Sequence, residues 1–332
     1  MKLNHLRRFS PAVIAAAVPA LALILLTVSG VVSPQPSTKL HRIGVLTSGD
    51  RTWRLQEGLR DLGYIEGRDV SFEYRNTEGK PERLDELAQD LVRQKVEVIV
   101  AAYPAAVLAA KRATTTIPIV MVNTPDPVDL GIVASLARPG GNVTGTTSLT
   151  LDVSMKQLEL LREAIPGASR IAVLWNPDNP WHPLAVQGLR KNRLSGVQLQ
   201  ILTVQRPQEF DAAFATMTKE RADAVLILAD PMMYAPTNRG RLADLALRHR
   251  LPSMGGLRSY ADAGGMMSYW ADETELYKRV ANYVDRILKG ANPDRLPIEQ
   301  PTKYELLING KTAKALGQAI PSSLLFRATV LE

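Results

Sequence analysis

Cysteine is absent from all 332 residues, which excludes a disulfide framework, a thiolate metal site and a lipid-modified N-terminal cysteine. Histidine is scarce: His5, His41, His182 and His249 are scattered, with no two at metal-ligand spacing. Common enzyme signatures are missing too. There is no G-x-S-x-G elbow, no H-E-x-x-H and no G-x-G-x-x-G after a strand. The P-loop spacing from Gly140 to Gly145 fails because Thr146 stands where lysine is required. No cofactor is implied, and catalysis is left only to residues that assemble in space without a local motif. Nor does charge of one sign dominate. The formal balance is +7, falling to roughly +4 without the basic leader. No basic run carries interleaved aromatics, which argues against a nucleic-acid partner.

There is one long apolar run. Residues 1–8 are short and basic, 12–32 are almost wholly apolar, and Pro34-Gln-Pro-Ser37 follows. This is the layout of a secretory signal, with Val28 and Gly30 as candidate −3 and −1 positions. An uncleaved anchor is the rival, since about 20 apolar residues span a bilayer. Both readings put the bulk of the chain outside the cytoplasm.

The full chain is 45% hydrophobic and 22% charged, an ordinary globular composition for one large or two medium domains. Apolar runs at 43–47, 70–74, 96–101 and 117–122, then at 171–175, 197–204, 224–228 and 251–254, predict strands. They are rich in Val, Ile and Leu rather than alternating, as strands buried on both faces are. Helical patterns lie between them, at 53–62, 81–94, 105–112, 154–164, 207–221, 238–248 and 273–288. This is the rhythm of βαβ units and parallel sheets.

The series repeats itself. Arg42-Ile-Gly-Val-Leu46 echoes Arg170-Ile-Ala-Val-Leu174, Val70 echoes Val197, Val98-Ile-Val100 echoes Val225-Leu-Ile227, and Ile117-Pro118 echoes Leu251-Pro252. The expected fold is therefore α/β: two doubly wound parallel-sheet lobes joined by a hinge, with Arg138-Pro-Gly-Gly-Asn-Val-Thr-Gly145 suited to the crossover. The boundaries read as a leader at 1–33 and a linker at 34–40. Lobe 1 spans 41–145 and is completed by helix 273–289, lobe 2 spans 146–271, and 290–332 is a C-terminal crossover and tail.

Several blocks carry a family resemblance: Gly58-Leu-Arg-Asp-Leu-Gly-Tyr-Ile-Glu-Gly67, Thr116-Ile-Pro-Ile-Val120, Asp126-Pro-Val-Asp-Leu-Gly131 and the 138–145 stretch. Ala263-Gly-Gly-Met-Met-Ser-Tyr269 and Gln300-Pro-Thr-Lys-Tyr-Glu-Leu306 extend it over nearly the whole chain past the leader. The chain resembles bacterial ABC-transporter substrate-binding proteins of the tryptophan/tyrosine-binding (TrpX-like) type. That resemblance implies a type I periplasmic-binding-protein fold and delivery of a small, amino-acid-like ligand to an ABC permease in the inner membrane. Without a lipidated cysteine, the resemblance points to a soluble, monomeric periplasmic protein. A periplasmic sensor serving a receptor or kinase fits the same fold, and an exported α/β enzyme is the lesser alternative.

Ligands of open α/β sheets bind beyond the carboxyl ends of the strands. In lobe 1 those ends are Thr47, Ser48, Gly49 and Asp50, then Tyr103, then Asn123, Thr124 and Asp126. Ser148 follows the crossover, and lobe 2 contributes Asn176, Asp230 and Gly255. Hydroxyls, amides and free backbone N–H groups at helix starts suit a ligand carboxylate, and Asp126 or Asp230 suits an ammonium. Tyr103 and Trp181 are candidates for stacking. Asn123, Asn176 and Asp230 serve equally well as caps or turn-formers.

Overall fold

The computed structural model describes residues 39–47, 53–78, 80–148, 150–192 and 194–332. The leader lies outside them, as do the candidate ligand residues Ser48, Gly49 and Asp50. Strands β1 (His41–Thr47), β2 (Val70–Asn76), β3 (Val98–Ala102), β4 (Ile119–Pro125) and β5 (Val143–Ser148) form a parallel sheet in the order β2-β1-β3-β4-β5. Strands β6 (Arg170–Trp175), β7 (Gln198–Thr203), β8 (Ala224–Ile227), β9 (Ser253–Gly255) and β10 (Met267–Ala271) repeat that order as β7-β6-β8-β9-β10. Beyond β10 the second sheet adds β11 (Tyr304–Asn309), antiparallel, and β12 (Thr329–Leu331), parallel to β11. The echo in the sequence is thus an echo of topology.

Helices α1 (Trp53–Asp61), α2 (Leu84–Arg93) and α3 (Pro104–Ala113) accompany the first sheet. The second half contains α4 (Thr150–Ala164), α5 (His182–Lys191), α6 (Phe210–Lys219), α7 (Pro236–Arg248), α8 (Arg258–Asp262), α9 (Glu273–Leu288), α10 (Gly310–Ala315) and α11 (Ser322–Leu325). Side chains alternate between the two faces of the first sheet, as the pleat requires. Ile43, Val45, Val98, Val100, Val120 and Val122 pack with α1 and α9. Leu46, Ile99, Ala101, Ile119 and Met121 pack with α2 and α3.

Each sheet borrows a helix from beyond the other. Helix α4 follows β5 but packs on β8, β9 and β10, whereas α9 follows β10 but packs on α1 and β4. Gly58 lets α1 and α9 come close, because a Cβ there would lie 2.8 Å from the Ala281 Cβ. The chain therefore crosses between lobes at 148–150 and 271–273. It crosses a third time at 299–304, where Glu299 bridges to Thr146 beside β5 before the chain enters β11.

The Gly/Pro stretch at 138–145 is not a crossover, contrary to expectation. It is a turn leading into β5, pinned inside lobe 1 by the Asn142 side chain, which donates to the carbonyls of Thr114 and Ile117 (3.1 and 2.8 Å). Gly145 is required there for another reason. Its φ is +126°, and a Cβ would lie 2.3 Å from the Met121 carbonyl oxygen, where β4 and β5 shift register. Strand β5 itself was not anticipated; it reads Val-Thr-Gly-Thr-Thr-Ser, and every residue is buried.

Candidate functional site

The carboxyl ends of the central strands of both sheets open on one cavity of about 910 Å³, counting the part open to solvent. This is the size class of small-molecule sites. Thr47 closes β1, Tyr103 and Pro104 follow β3, and Asn123 ends the regular part of β4. Facing them, lobe 2 presents Trp181 ahead of α5, Tyr234 and Arg239 at the start of α7, and Trp270 near the end of β10. Glu273 and Tyr277 of α9 complete the wall next to the second crossover. The chain is only 5% aromatic, yet five aromatic side chains meet here.

The backbone of lobe 1 is strained at this rim. Tyr103, Asn123 and Asp126 all have positive φ (74°, 45° and 41°). For Asn and Asp the left-handed region is tolerable; for Tyr103 it costs on the order of 1–3 kcal/mol, a strain found mostly where function holds it. Tyr103 precedes α3, whose first residue is Pro104. Proline fits that position because its missing N–H has no partner to lose. The start of α3, with the positive end of its dipole, reaches the cavity through Pro104.

In lobe 2 the wall is held from behind. The His182 ring is fully buried, its Nδ1 lying 2.9 Å from the Asn176 carbonyl and 3.0 Å from the Asn176 N–H, and its Nε2 3.1 Å from the Ala229 carbonyl. Burial pushes the pKa below its ordinary value, against the opposing pull of the Asp230 charge and the backbone hydrogen bonds. The ring edge meets Trp181 at a centroid distance of 4.4 Å and so fixes that indole. Tyr234 is anchored likewise, donating to the Ile227 carbonyl (3.0 Å) and accepting from the Gly256 N–H (2.6 Å).

The sequence profile described as ABC transporter substrate binding protein matches residues 50–331. The chain belongs to the ABC transporter substrate-binding protein family. A tyrosine-binding protein of Clostridioides difficile strain R20291 is 26% identical over 265 residues, covering 78% of this chain and 74% of that one. A conserved domain protein of Vibrio cholerae superposes with a TM-score of 0.80 at 27% identity, covering 89% of this chain and 100% of the other. A Streptococcus pneumoniae ABC domain solved with L-Trp gives 0.81 at 23% identity, covering 88% and 100%. The two α/β sheets of this substrate-binding protein are the architecture those superpositions share.

Of the residues singled out from sequence, Thr47, Tyr103 and Asn123 line the cavity of the substrate-binding protein. The Asn123 Oδ1 is buried without a hydrogen-bond partner, a group awaiting a ligand or water. Thr124 and Ser148 are buried at the β4–β5 edge and do not line the cavity; their hydroxyls also lack partners. Asp126 is half-buried past the end of β4, its N–H on the Ser148 carbonyl (3.4 Å), and it too lies off the wall.

Asp230, Asn176 and Gly255 are not among the lining residues. Asp230 is not placed to receive an ammonium, because all its acceptor capacity is spent within lobe 2. Its Oδ1 takes the N–H groups of Met232 and Met233, and its Oδ2 takes the Asn176 and Asn179 side-chain amides (3.2 and 2.9 Å). Asn176 is a brace in the same network, its Oδ1 accepting from the Asp178 N–H. Gly255 serves packing, since a Cβ there would lie 2.4 Å from the Tyr260 ring.

Arg239, Trp270, Glu273 and Tyr277 were not anticipated. Trp270 would have followed from the strand-end rule had β10 been recognised. The others project from the first turns of α7 and α9, where no local motif marks them. Among the described residues no cluster of three His, Asp or Glu side chains is placed to hold a metal, and no helix is long and apolar enough to cross a membrane.

Proposed function

We propose that this chain captures a small, amino-acid-sized molecule with a carboxylate and an aromatic body. It does so between its two lobes, as an exported, monomeric periplasmic protein that hands its cargo unaltered to an ABC permease in the inner membrane. The observation that carries the reading is the single cavity walled by strand and helix ends of both lobes. A ligand touching both binds better to the closed form and shifts the population toward it by that difference. The aromatic lining gives apolar area, while the α3 start and the Arg239 guanidinium suit a carboxylate. The tyrosine-binding relative and the tryptophan-bound neighbour support an aromatic, amino-acid-like cargo.

A thermal-shift screen of amino acids, aromatic acids, sugars and purines tests this, because a ligand that binds only the folded state raises Tm with its concentration. A concentration-dependent rise for aromatic carboxyl compounds, with the compound recovered unchanged by mass spectrometry, is the expected result. No shift with any class, or conversion of the compound that binds, refutes the proposal.

A further inference from the structure

Resting on that reading, we infer that the cleft selects an aromatic monocarboxylate, with the carboxylate on Arg239 and no need for an ammonium group. The argument is one of charge. Arg239 is half-buried, lines the cavity, and its guanidinium makes no hydrogen bond or ion pair with any described residue. A guanidinium held out of bulk water without a partner is costly, and its fork of donors matches a carboxylate in a bidentate pair. The other charged side chain on the wall is Glu273, and it is answered from behind by Arg54, whose Nε lies 3.7 Å from its Oε2.

Asp230 is buried and is not among the lining residues; both its oxygens accept from N–H donors of its own lobe, four in all. Of the two charged side chains among the described lining residues, Arg239 is the one with no opposite charge beside it, and the starts of α3 and α7 reach the same cavity. A monoanion supplies the partner that Arg239 lacks. A zwitterion brings no net charge and sets its ammonium against a carboxylate already shared with an arginine. The apolar body of the ligand is met by Trp181, Tyr103, Trp270 and Tyr277.

Calorimetric titration of the purified protein with three compounds sharing one ring separates the terms: indole-3-propionate (carboxylate alone), L-tryptophan (both groups) and tryptamine (ammonium alone). The matching hydroxyphenyl series, 3-(4-hydroxyphenyl)propionate, L-tyrosine and tyramine, is run beside it. We expect the propionate of at least one series to bind as tightly as the amino acid or more so, and both amines to fail. Arg239→Gln should weaken the acid by roughly 10- to 100-fold, as loss of a charge-assisted pair does. Arg239→Lys should recover part of that, and the Tm of both unliganded variants should be no lower than that of the parent, because Arg239 has no partner to lose. Binding of an amino acid with rejection of its propionate overturns the inference but leaves capture between the lobes standing. Failure of both propionates to bind, or an acid that binds Arg239→Gln as well as the parent, also overturns it. Only the absence of binding by every compound class removes the underlying reading as well.

Discussion

His182 and Asp230 hold one wall of the cleft without touching its contents, and both do so through satisfied polar contacts below the surface. The imidazole is neutral because burial disfavours its charged form. In the unfolded chain the same ring titrates at its ordinary value near 6.5. A depressed folded pKa means the unfolded state binds the extra proton first as pH falls. The contribution of His182 to stability is thus fully present above about pH 6.5 and is lost progressively below it, at up to about 1.4 kcal/mol per pH unit for one proton. We expect Tm to decline between about pH 6.5 and 5, in a range above that of ordinary carboxylates. His182→Gln should flatten that limb while lowering Tm throughout. An unchanged slope in the variant would show that the imidazole is not the titrating group. The same wall explains why residue-level reading succeeded unevenly. Thr47, Tyr103 and Asn123 lie where the strand-end rule directs attention, whereas an aspartate such as Asp230 looks identical in sequence whether it meets a ligand or four N–H donors.

The exchange of helices between sheets decides what each half can do alone. Helix α9 buries Leu276, Val280, Tyr283, Val284 and Ile287. At about 1.5–3 kcal/mol for each large apolar side chain, that face is worth on the order of 10 kcal/mol, comparable with the whole stability of a domain. A fragment of residues 39–148 should therefore fail to fold, exposing Val45, Val98, Val100 and Val120. The same fragment joined through a flexible linker to residues 273–290 should recover a cooperative transition by circular dichroism and dispersed amide resonances. Cooperative folding of the shorter fragment would show that α9 is dispensable. Elements built on Val, Ile and Leu, such as β1, β3, β6 and β8, were legible because burial on both faces demands continuous apolar runs. Strand β5 was not, since its three threonines and Gly145 resemble a loop, although Thr144 and Thr147 satisfy their hydroxyls on the carbonyls of Leu296 and Thr124. Strand β10 was missed for a related reason: Met-Ser-Tyr-Trp-Ala carries no Val, Ile or Thr, although its two aromatics favour a strand; β11 and β12 were also not anticipated.

For the molecule as a whole, function depends on three crossing segments that lie side by side. Thr147 N–H donates to the Glu299 carbonyl (2.9 Å), and Glu299 N–H donates to that of Gly145 (3.1 Å), tying the first crossing to the third. The second and third are joined by Asp272 N–H on the Lys303 carbonyl (3.0 Å) and by the Lys303–Asp272 ion pair (2.6 Å). Arg279 of α9 grips Glu275, Glu299 and Thr302 from the lobe 1 side. Such a ribbon can flex as a unit, while its polar ties limit which lobe positions are sampled. These ties lie at the surface, where each contributes little to global stability. Their effect should fall on the fraction of molecules competent to bind, which scales the apparent affinity directly. Replacing Arg279 and Lys303 together with alanine should accordingly raise the apparent Kd by roughly 2- to 10-fold while moving Tm only slightly, and raised salt should reproduce part of that loss in the parent. Solution scattering should show a smaller radius of gyration on saturation in the parent and a less complete contraction in the variant. An unaltered Kd with the ties removed would mean that the lobes are set by their own packing, and that the crossing segments merely connect them.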